Sequence, residues 1–575
     1  MAVLASAIGH GSVQAPAPRS TVRVGLWTLW HDRAVTISPA EGGGATLQTC
    51  AQPAACGASP LAKPVQIRAS GDRLAVDGNR DATAIQLSGT AALAAHGEAI
   101  ILRNPVRITA RKGELILAVT LPVESYVERV VASESGPADS LESLKALAIV
   151  VRSFALHQAH GHAEYDLCDS THCQLLHWAG NPARRAAAHM STLVTAGETL
   201  WFHGERAEAW FHQNCGGRTA APQEVWPEKG LMRKPMPWLV SRTDSYCTAG
   251  GAKEWSSTLS LAELTAVLAA QGRAAPGWKN LAVARRGESG RAVTLLVGGN
   301  EISAEDFRLA VGRALGWNRI PSTWFEVAQQ GDGFVFHGRG SGHGVGLCQA
   351  GAAVMAARGR STGEILAQYF PGATVNDETT GRPWQTLRGL GFALETLDSA
   401  DALHLPALNQ ALAEAQSRSG LRAADAFTVR AFRSTPEFRD ATLSPGWTAA
   451  FTEGNWIATQ PLATLASRKL LVPVLRHEFL HALIEEKAAE ETPLWFREGL
   501  VEALNGDARA GGPAPALKLE LLDSALAHAA GEAESLAAHR AAGWYAARLM
   551  AQFGRQQVMG WLGSGLPPNA SAAVR

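Results

Sequence analysis

The chain opens on alternation. In TVRVGLWTLWHDRA apolar and polar side chains take turns, the period of a half-buried strand. Short runs of the same kind (RLAVDG, AIQLSG, ILRN, ELILAVTL) continue to about residue 118, separated by Gly, Asn and Pro turns. From Leu121 the period lengthens. In LESLKALAIVVRSFALHQA, residues Leu141, Leu144, Leu147, Ala148, Val151, Phe154 and Ala155 recur at helical spacing, which predicts a helix with Ser140 as its N-cap. Strand signals return near TLWFHGERAEAWFH and run into the turn-rich NCGGRTAAP. The pattern then predicts a helix over 259–274 and mostly strand over 279–336. A glycine-dense run from His337 leads to helices near 350–358 and over STGEILAQYF. After a polar, turn-rich stretch come a helix over 401–418, strands in FTVRAF and NWIATQ, and helices to the end.

This pattern divides the chain into a start at 1–21, a front domain at 22–375, a linker at 376–394 and a rear domain at 395–575. At roughly 150 residues per domain, 575 residues accommodate three or four compact units or two composite ones. The start, MAVLASAIGHGSVQAPAPRS, has a short apolar run without the positive charges of a signal peptide, so it reads as a residual signal or a disordered segment. No stretch reaches the ~18 apolar residues of a spanning helix. Hydrophobic residues make up 46%, which excludes a mostly disordered chain. Lys+Arg and Asp+Glu number 52 each, and this balance argues against a nucleic-acid partner. The 7 cysteines are too few to staple the whole fold. Cys50 and Cys56 fit a loop staple, metal ligands or free thiols.

Chemistry concentrates first around Glu134. In LPVESYVERVVASES it follows Val130-Val131-Ala132, which sets its carboxyl at the edge of a core. Burial raises a carboxyl pKa, and a raised pKa suits a general acid. Arg152 sits on an otherwise apolar helix face, where it either holds a substrate group or pairs with a carboxylate. A purely structural pairing of Arg152 with Glu134 fits the same residues. The segment 338–346 carries five glycines around His343, a density that implies close backbone approach. No Lys-Ser/Thr follows, so it is not a nucleotide loop.

Taken in order, LPVESYVERVVASES, LESLKALAIVVRSFAL, NCGGRT…EVW, GRGSGHGVGLCQAGA and EILAQYFPGA resemble the stage II sporulation protein D and amidase-enhancer (SpoIID/LytB) family over about residues 22–375. The resemblance implies a lytic transglycosylase that cleaves peptidoglycan glycan strands. Glu134 matches the family's catalytic glutamate, Arg152 its arginine segment, and His343 and Gln349 its glycine-histidine loop as substrate-binding residues. An ordinary glycosidase needs two carboxyl groups. A lytic transglycosylase works with one, because the sugar's own C6 hydroxyl closes a 1,6-anhydro ring. The same resemblance makes YDLCDSTHCQ a structural Zn2+ segment with Cys168, Cys173 and His162; His172 is a rival ligand and a Cys168–Cys173 disulfide an alternative. Cys215 and Cys247 are a further possible pair, and Cys348 receives no role.

The second concentration lies in LRHEFLHAL. His477 and His481 are four apart and face the same side of a helix, where both can bind one Zn2+. Glu478 is placed to act as general base, and Glu498 in PLWFREGLVEAL completes a His2Glu set. Glu502 is a candidate for orienting a ligand. Residues 395–505 resemble the gluzincin metallopeptidases of the peptidase MA-like group, which implies a peptide or protein substrate.

The expected fold is α+β: a two-lobed front domain with the Glu134 cleft between its lobes, then a mainly helical zincin-like domain with a small sheet. The expected protein is a cell-envelope enzyme, periplasmic or extracellular, that cleaves glycan strands and carries a zinc peptidase. The alternative is a non-cutting peptidoglycan binder that enhances a cell-wall amidase or targets an active peptidase.

Overall fold

A computed structural model describes residues 20–570 except 41–43, 53–54, 79, 158–161, 179–181, 227–235, 273–276, 507–513, 530 and 568. Most of the predicted start segment, residues 1–19, therefore lies outside the described residues. The chain divides into two compact units, Met1–Gly381 and Arg382–Arg575, each a mixture of sheets and helices.

The front unit begins with two sheets. Thr21–Leu26, Glu114–Pro122, Val106–Arg111, Ala84–Gly89, Ala45–Gln52 and Ala55–Pro60 lie in order in a seven-stranded sheet, with Leu167–Cys168 added in parallel beside Thr21–Leu26. Ala34–Pro39 and its neighbours form a six-stranded sheet. Alternation explains both: Val22, Val24, Ile85, Leu87, Val106 and Ile108 point into a common core while their neighbours face out. The single strand expected from TVRVGLWTLWHDRA is two, because Trp27 and His31 adopt φ of 54° and 51° and break the ladder between them. A disulfide joins Cys50 to Cys56 across a hairpin.

Helix Val123–Glu134 packs against the seven-stranded sheet, and Leu141–Leu156 and Pro182–Val194 pack against that helix and each other. The first two bury Val123, Tyr126, Val127, Val130 and Val131, and Leu144, Leu147, Ala148 and Val151, the spacing read from the sequence. Residues 254–339 build a separate module around its own core of Leu259, Phe307, Phe325, Phe334 and Phe336. The mostly-strand expectation for 279–336 fails here at Ala304–Leu315, a helix capped by the Ser303 hydroxyl. The chain then returns through the glycine loop to helices Gln349–Ala357 and Thr362–Tyr369.

The rear unit centres on a five-stranded sheet in the order Gln385–Arg388, Phe392–Thr396, Phe427–Ala431, Trp456–Thr459, Ala450–Glu453. The linker expectation for 376–394 is corrected by this sheet: Gln385–Arg388 pairs with Phe392–Thr396, so apparently polar residues form an edge hairpin. Helices Leu405–Ser419, Leu471–Lys487, Leu494–Asn505 and Glu532–Phe553 complete the unit. Among the described residues, no helix is long and apolar enough to cross a membrane.

Candidate functional sites

Glu134 ends the helix Val123–Glu134, at the edge of the core that its preceding turns bury. It lines a cleft with Gln174, Leu175, Trp210, His212, His343 and Gln349, while Arg308, Trp317 and Pro321 come from the 254–339 module. Glu134 is the one carboxylate among the described lining residues. Burial pushes its pKa from 4.5 up to about 7, and a single backbone hydrogen bond from Leu175 opposes the shift without cancelling it. The partial negative charge of a helix C-terminus acts in the same direction as burial. The Gln349 amide donates to the Glu134 carbonyl at 3.1 Å and fixes the end of the helix against the glycine loop.

His343 reaches the cleft as the sequence anticipated, but its ring is held by backbone. Its Nδ1 accepts the Val345 N–H at 3.1 Å, a second hydrogen bond ties it to Phe211, and burial draws its pKa down to about 3. It is therefore neutral. His212, which sequence reasoning passed over, donates from Nδ1 to the Val345 carbonyl at 3.0 Å. Its buried Nε2 has no hydrogen-bond partner and stays available as an acceptor in the cleft lining. Trp210, Phe211 and Trp317 add flat apolar faces, and Trp317 is 41% exposed.

Arg152 is not a cleft residue, and its substrate-binding assignment is corrected. It is fully buried, and Glu124 accepts from it twice, Nε to Oε1 at 2.8 Å and Nη2 to Oε2 at 2.6 Å. Its remaining donors go to the carbonyls of Glu198 and Thr192. The carboxylate alternative was right in kind, but the partner is Glu124, one of the acids of the same motif, and not Glu134.

Beside the cleft, the edge strand Leu167–Cys168 presents a cluster of His162, Cys168, His172 and Cys173, whose donor atoms all lie within 4.8 Å of one another. Cys168 Sγ and Cys173 Sγ are 3.0 Å apart as free thiols, His162 Nε2 is 3.3 Å from Cys173 Sγ, and His172 Nδ1 is 3.7 Å from both sulfurs. A tetrahedral zinc site with Zn–S near 2.3 Å and Zn–N near 2.0 Å spaces its donors by about 3.3–3.8 Å; the imidazole-to-sulfur separations fall in that range, while the two sulfurs are closer than it and would have to part to share an ion. His162 and His172, rivals in the sequence, both belong to it. The cluster borders the loop that carries Gln174 and Leu175, and Gln174 accepts from the Tyr126 hydroxyl at 2.9 Å.

In the rear unit, Leu471–Lys487 is a helix because Leu475, Phe479, Leu480, Leu483 and Ile484 bury one broad face. His477 and His481 leave it one turn apart, with their Nε2 atoms 3.0 Å from each other. Glu498, on the helix Leu494–Asn505, brings Oε2 to 3.7 Å from His481 Nε2. His539, on Glu532–Phe553, stands 3.4 Å from the same oxygen. No local signal marks His539, which lies far along the chain in what reads as a packing helix. Gly499 explains its approach: a Cβ there would lie 2.4 Å from the Ala542 carbonyl, so only glycine lets the two helices come this close. Burial raises the Glu498 carboxyl, but His481, His539 and His477 outweigh it and hold the pKa near 2. Burial also raises Glu478, whose Oε2 accepts the Thr452 hydroxyl at 2.6 Å. The donor set of two imidazoles and an ionised carboxylate fits a divalent zinc ion. Thr452 belongs to the edge strand Ala450–Glu453, which lines the same pocket.

Known proteins share parts of the front unit. Residues 111–202 match the stage II sporulation protein family, and residues 246–346 match a domain of unknown function (DUF8618). An uncharacterized protein of Brachyspira hyodysenteriae is 29% identical over 266 residues, covering 46% of this chain and 69% of that one. Stage II sporulation protein D of Bacillus subtilis is 24% identical over 301 residues, covering 49% of this chain and 83% of its own. The amidase enhancer of Bacillus subtilis is 22% identical over 289 residues, covering 43% of this chain and 39% of its own. Both family matches lie within Met1–Gly381, and the matched residues 111–202 include Glu134 and the His162–Cys173 cluster, so this front part of the chain is similar to stage II sporulation protein D.

Proposed function

We propose that the front unit is a cell-envelope lytic transglycosylase acting on peptidoglycan glycan strands, with Glu134 as its single acid and base. The observation that carries this reading is a lone carboxyl group, kept protonated near neutral pH, in a cleft without a second acid among its described lining residues. Glu134 gives its proton to the glycosidic oxygen as the C1–O bond breaks. The carboxylate left behind takes the C6 hydroxyl proton while that oxygen bonds to C1, which closes the 1,6-anhydro ring and restores the acid. No water is consumed, so no second carboxylate is required. Gln349 and the glycine loop hold the acid's backbone, and the His212 Nε2 lone pair accepts a sugar hydroxyl. The likeness to stage II sporulation protein D supports a cell-wall role. The likeness to an amidase enhancer supports the second reading, glycan binding without cleavage in service of an amidase.

In the rear unit the proposal is a zinc metallopeptidase with His477, His481 and Glu498 as ligands. Zinc supplies Lewis acidity when bound. Glu478, steadied by Thr452, takes and returns the proton, and His539 orients Glu498. The edge strand Ala450–Glu453 offers unpaired backbone for an extended peptide. The His162–Cys168–His172–Cys173 cluster is proposed to hold a second, structural zinc that ties down the Gln174–Leu175 loop.

The test is digestion of purified peptidoglycan with wild type, Glu134→Gln and Glu478→Gln, with products read by mass spectrometry. The expected result is 1,6-anhydro termini from wild type and Glu478→Gln and a loss of about 10²–10⁴-fold in Glu134→Gln. Absence of anhydro termini with wild type favours the binding-only reading.

A further inference from the structure

Three cysteines that no function above uses meet in the interior of the front unit. Cys215, Cys247 and Cys348 are buried together with Asp244, and one donor atom from each lies within 4.8 Å of all the others. They come from three separate segments. Cys215 precedes Gly216 and Gly217, which turn the chain at φ of 74° and 108°. Asp244 caps Ser245–Ala249, the short helix that carries Cys247. Cys348 ends the glycine loop, pairs in register with His212, and precedes the Gln349 that holds Glu134.

We infer that Cys215, Asp244, Cys247 and Cys348 form a structural site for a thiophilic divalent cation of the zinc class, distinct from the His162–Cys173 cluster and from the His477–His481–Glu498 set. Three observations carry this. First, backbone N–H groups are aimed at the sulfurs: Cys215 N–H donates to Cys348 Sγ at 3.2 Å and Gly217 N–H to Cys215 Sγ at 3.3 Å. Donors so placed favour thiolate, the form that binds metal. Second, Asp244 is fixed with one oxygen turned to the cluster. Oδ1 accepts the N–H groups of Tyr246 and Cys247, while Oδ2 accepts the Tyr369 hydroxyl at 2.9 Å and lies 3.3 Å from Cys215 Sγ. A Cβ at Gly351 would stand 2.1 Å from that hydroxyl and 2.6 Å from that oxygen, so the glycine keeps room for the arrangement. Third, Arg291 is fully buried beside the cluster. It donates to the carbonyls of Cys215 at 2.9 Å and Gly342 at 3.3 Å, and its Nε has no partner.

A buried guanidinium requires buried negative charge nearby. Three thiolates and a carboxylate around a divalent cation carry a net charge of minus two and supply it. Four protein donors and complete burial leave no open position, which marks the site as structural. Its place explains its use: the ion would tie the His212–Gly217 segment, the Cys247 helix and the end of the glycine loop together behind the cleft. The cysteines themselves are legible in the sequence, but a simple Cys215–Cys247 pair gives no role to Cys348 or to the Asp244 oxygen turned toward the sulfurs.

The test starts from the full chain carrying His477→Ala, Cys168→Ser and Cys173→Ser, which removes the other two candidate sites. Purified with zinc present and checked for fold by circular dichroism, it should hold about one zinc per chain by elemental mass spectrometry. X-ray absorption of that protein should show three sulfurs at about 2.3 Å and one oxygen. Adding Cys348→Ser should remove the zinc. A metal-free background protein, a shell of nitrogen and oxygen only, or a Cys215–Cys247 disulfide in peptide maps of the wild type would overturn the inference. The absorption measurement decides even if Cys348→Ser fails to fold.

Discussion

Two glutamates, one in each unit, show how surroundings assign a role to the same side chain. Both Glu134 and Glu498 are withdrawn from water on helices, and burial pushes both carboxyls up. Lys253 and Arg308 line the same cleft, but at Glu134 only a backbone hydrogen bond opposes burial, so the pKa settles near 7, the range the proposed proton donor needs. Around Glu498 three imidazoles do answer, the pKa falls to about 2, and the group stays ionised, as the proposed ligand role requires. The lesson is that burial alone does not set the chemistry of a carboxyl; the nearest positive charge does.

The comparison breaks if Arg152 serves Glu134 after all. Arg152→Met should destabilise the front unit by about 3–5 kcal/mol, because Glu124 is left buried and uncompensated. Denaturant melts check this. In the molecules that remain folded, the pH dependence of anhydro-sugar formation should not move; a shifted profile would place Arg152 in the catalytic machinery.

His539 sharpens the rear half of the comparison. It stands against Glu498, and burial lowers its pKa while the Glu498 carboxylate raises it further, to about 9. His539→Ala should weaken zinc binding by about 10–100-fold, the usual effect of losing a group that orients a ligand, with His477→Ala weakening it more. Competition with a chromogenic chelator measures both. Equal affinity in wild type and His539→Ala would leave His539 a packing residue.

The smallest effect is on stability. The Glu134 pKa is raised in the fold, so the folded state binds more protons between pH 4.5 and about 7, and stability falls as pH rises through that window. Glu134→Gln removes that loss. The variant should match wild type near pH 4 and exceed it by about 1–3 kcal/mol near pH 8. Paired melts across pH check the sign.

What the sequence disclosed followed from local pattern. The Leu141–Leu156 helix was legible because its apolar residues repeat at helical spacing, and the position of Glu134 because a helix that buries Val130 and Val131 must carry the next residues to its end. His477, Glu478 and His481 were legible because a one-turn spacing fixes their common face. The rest depended on tertiary approach. Arg152 was visible as a charge on an apolar face, but its choice of Glu124 over Glu134 is set by how two helices pack. His539 reaches Glu498 only because Gly499 admits a neighbouring helix, and the Gln385–Arg388 strand is polar because it lies at a sheet edge. Asp244 and Cys348 were invisible as partners since no local period joins segments a hundred residues apart.

The central claim is that Glu134 acts as an acid that still holds its proton near neutral pH. The most direct measurement is kcat/KM for 1,6-anhydro product release from glycan strands as a function of pH. A rate that falls as pH rises through about 7, and that is lost in Glu134→Gln, is the predicted result. A rate that holds or climbs above that pH, or that survives the substitution, would contradict it.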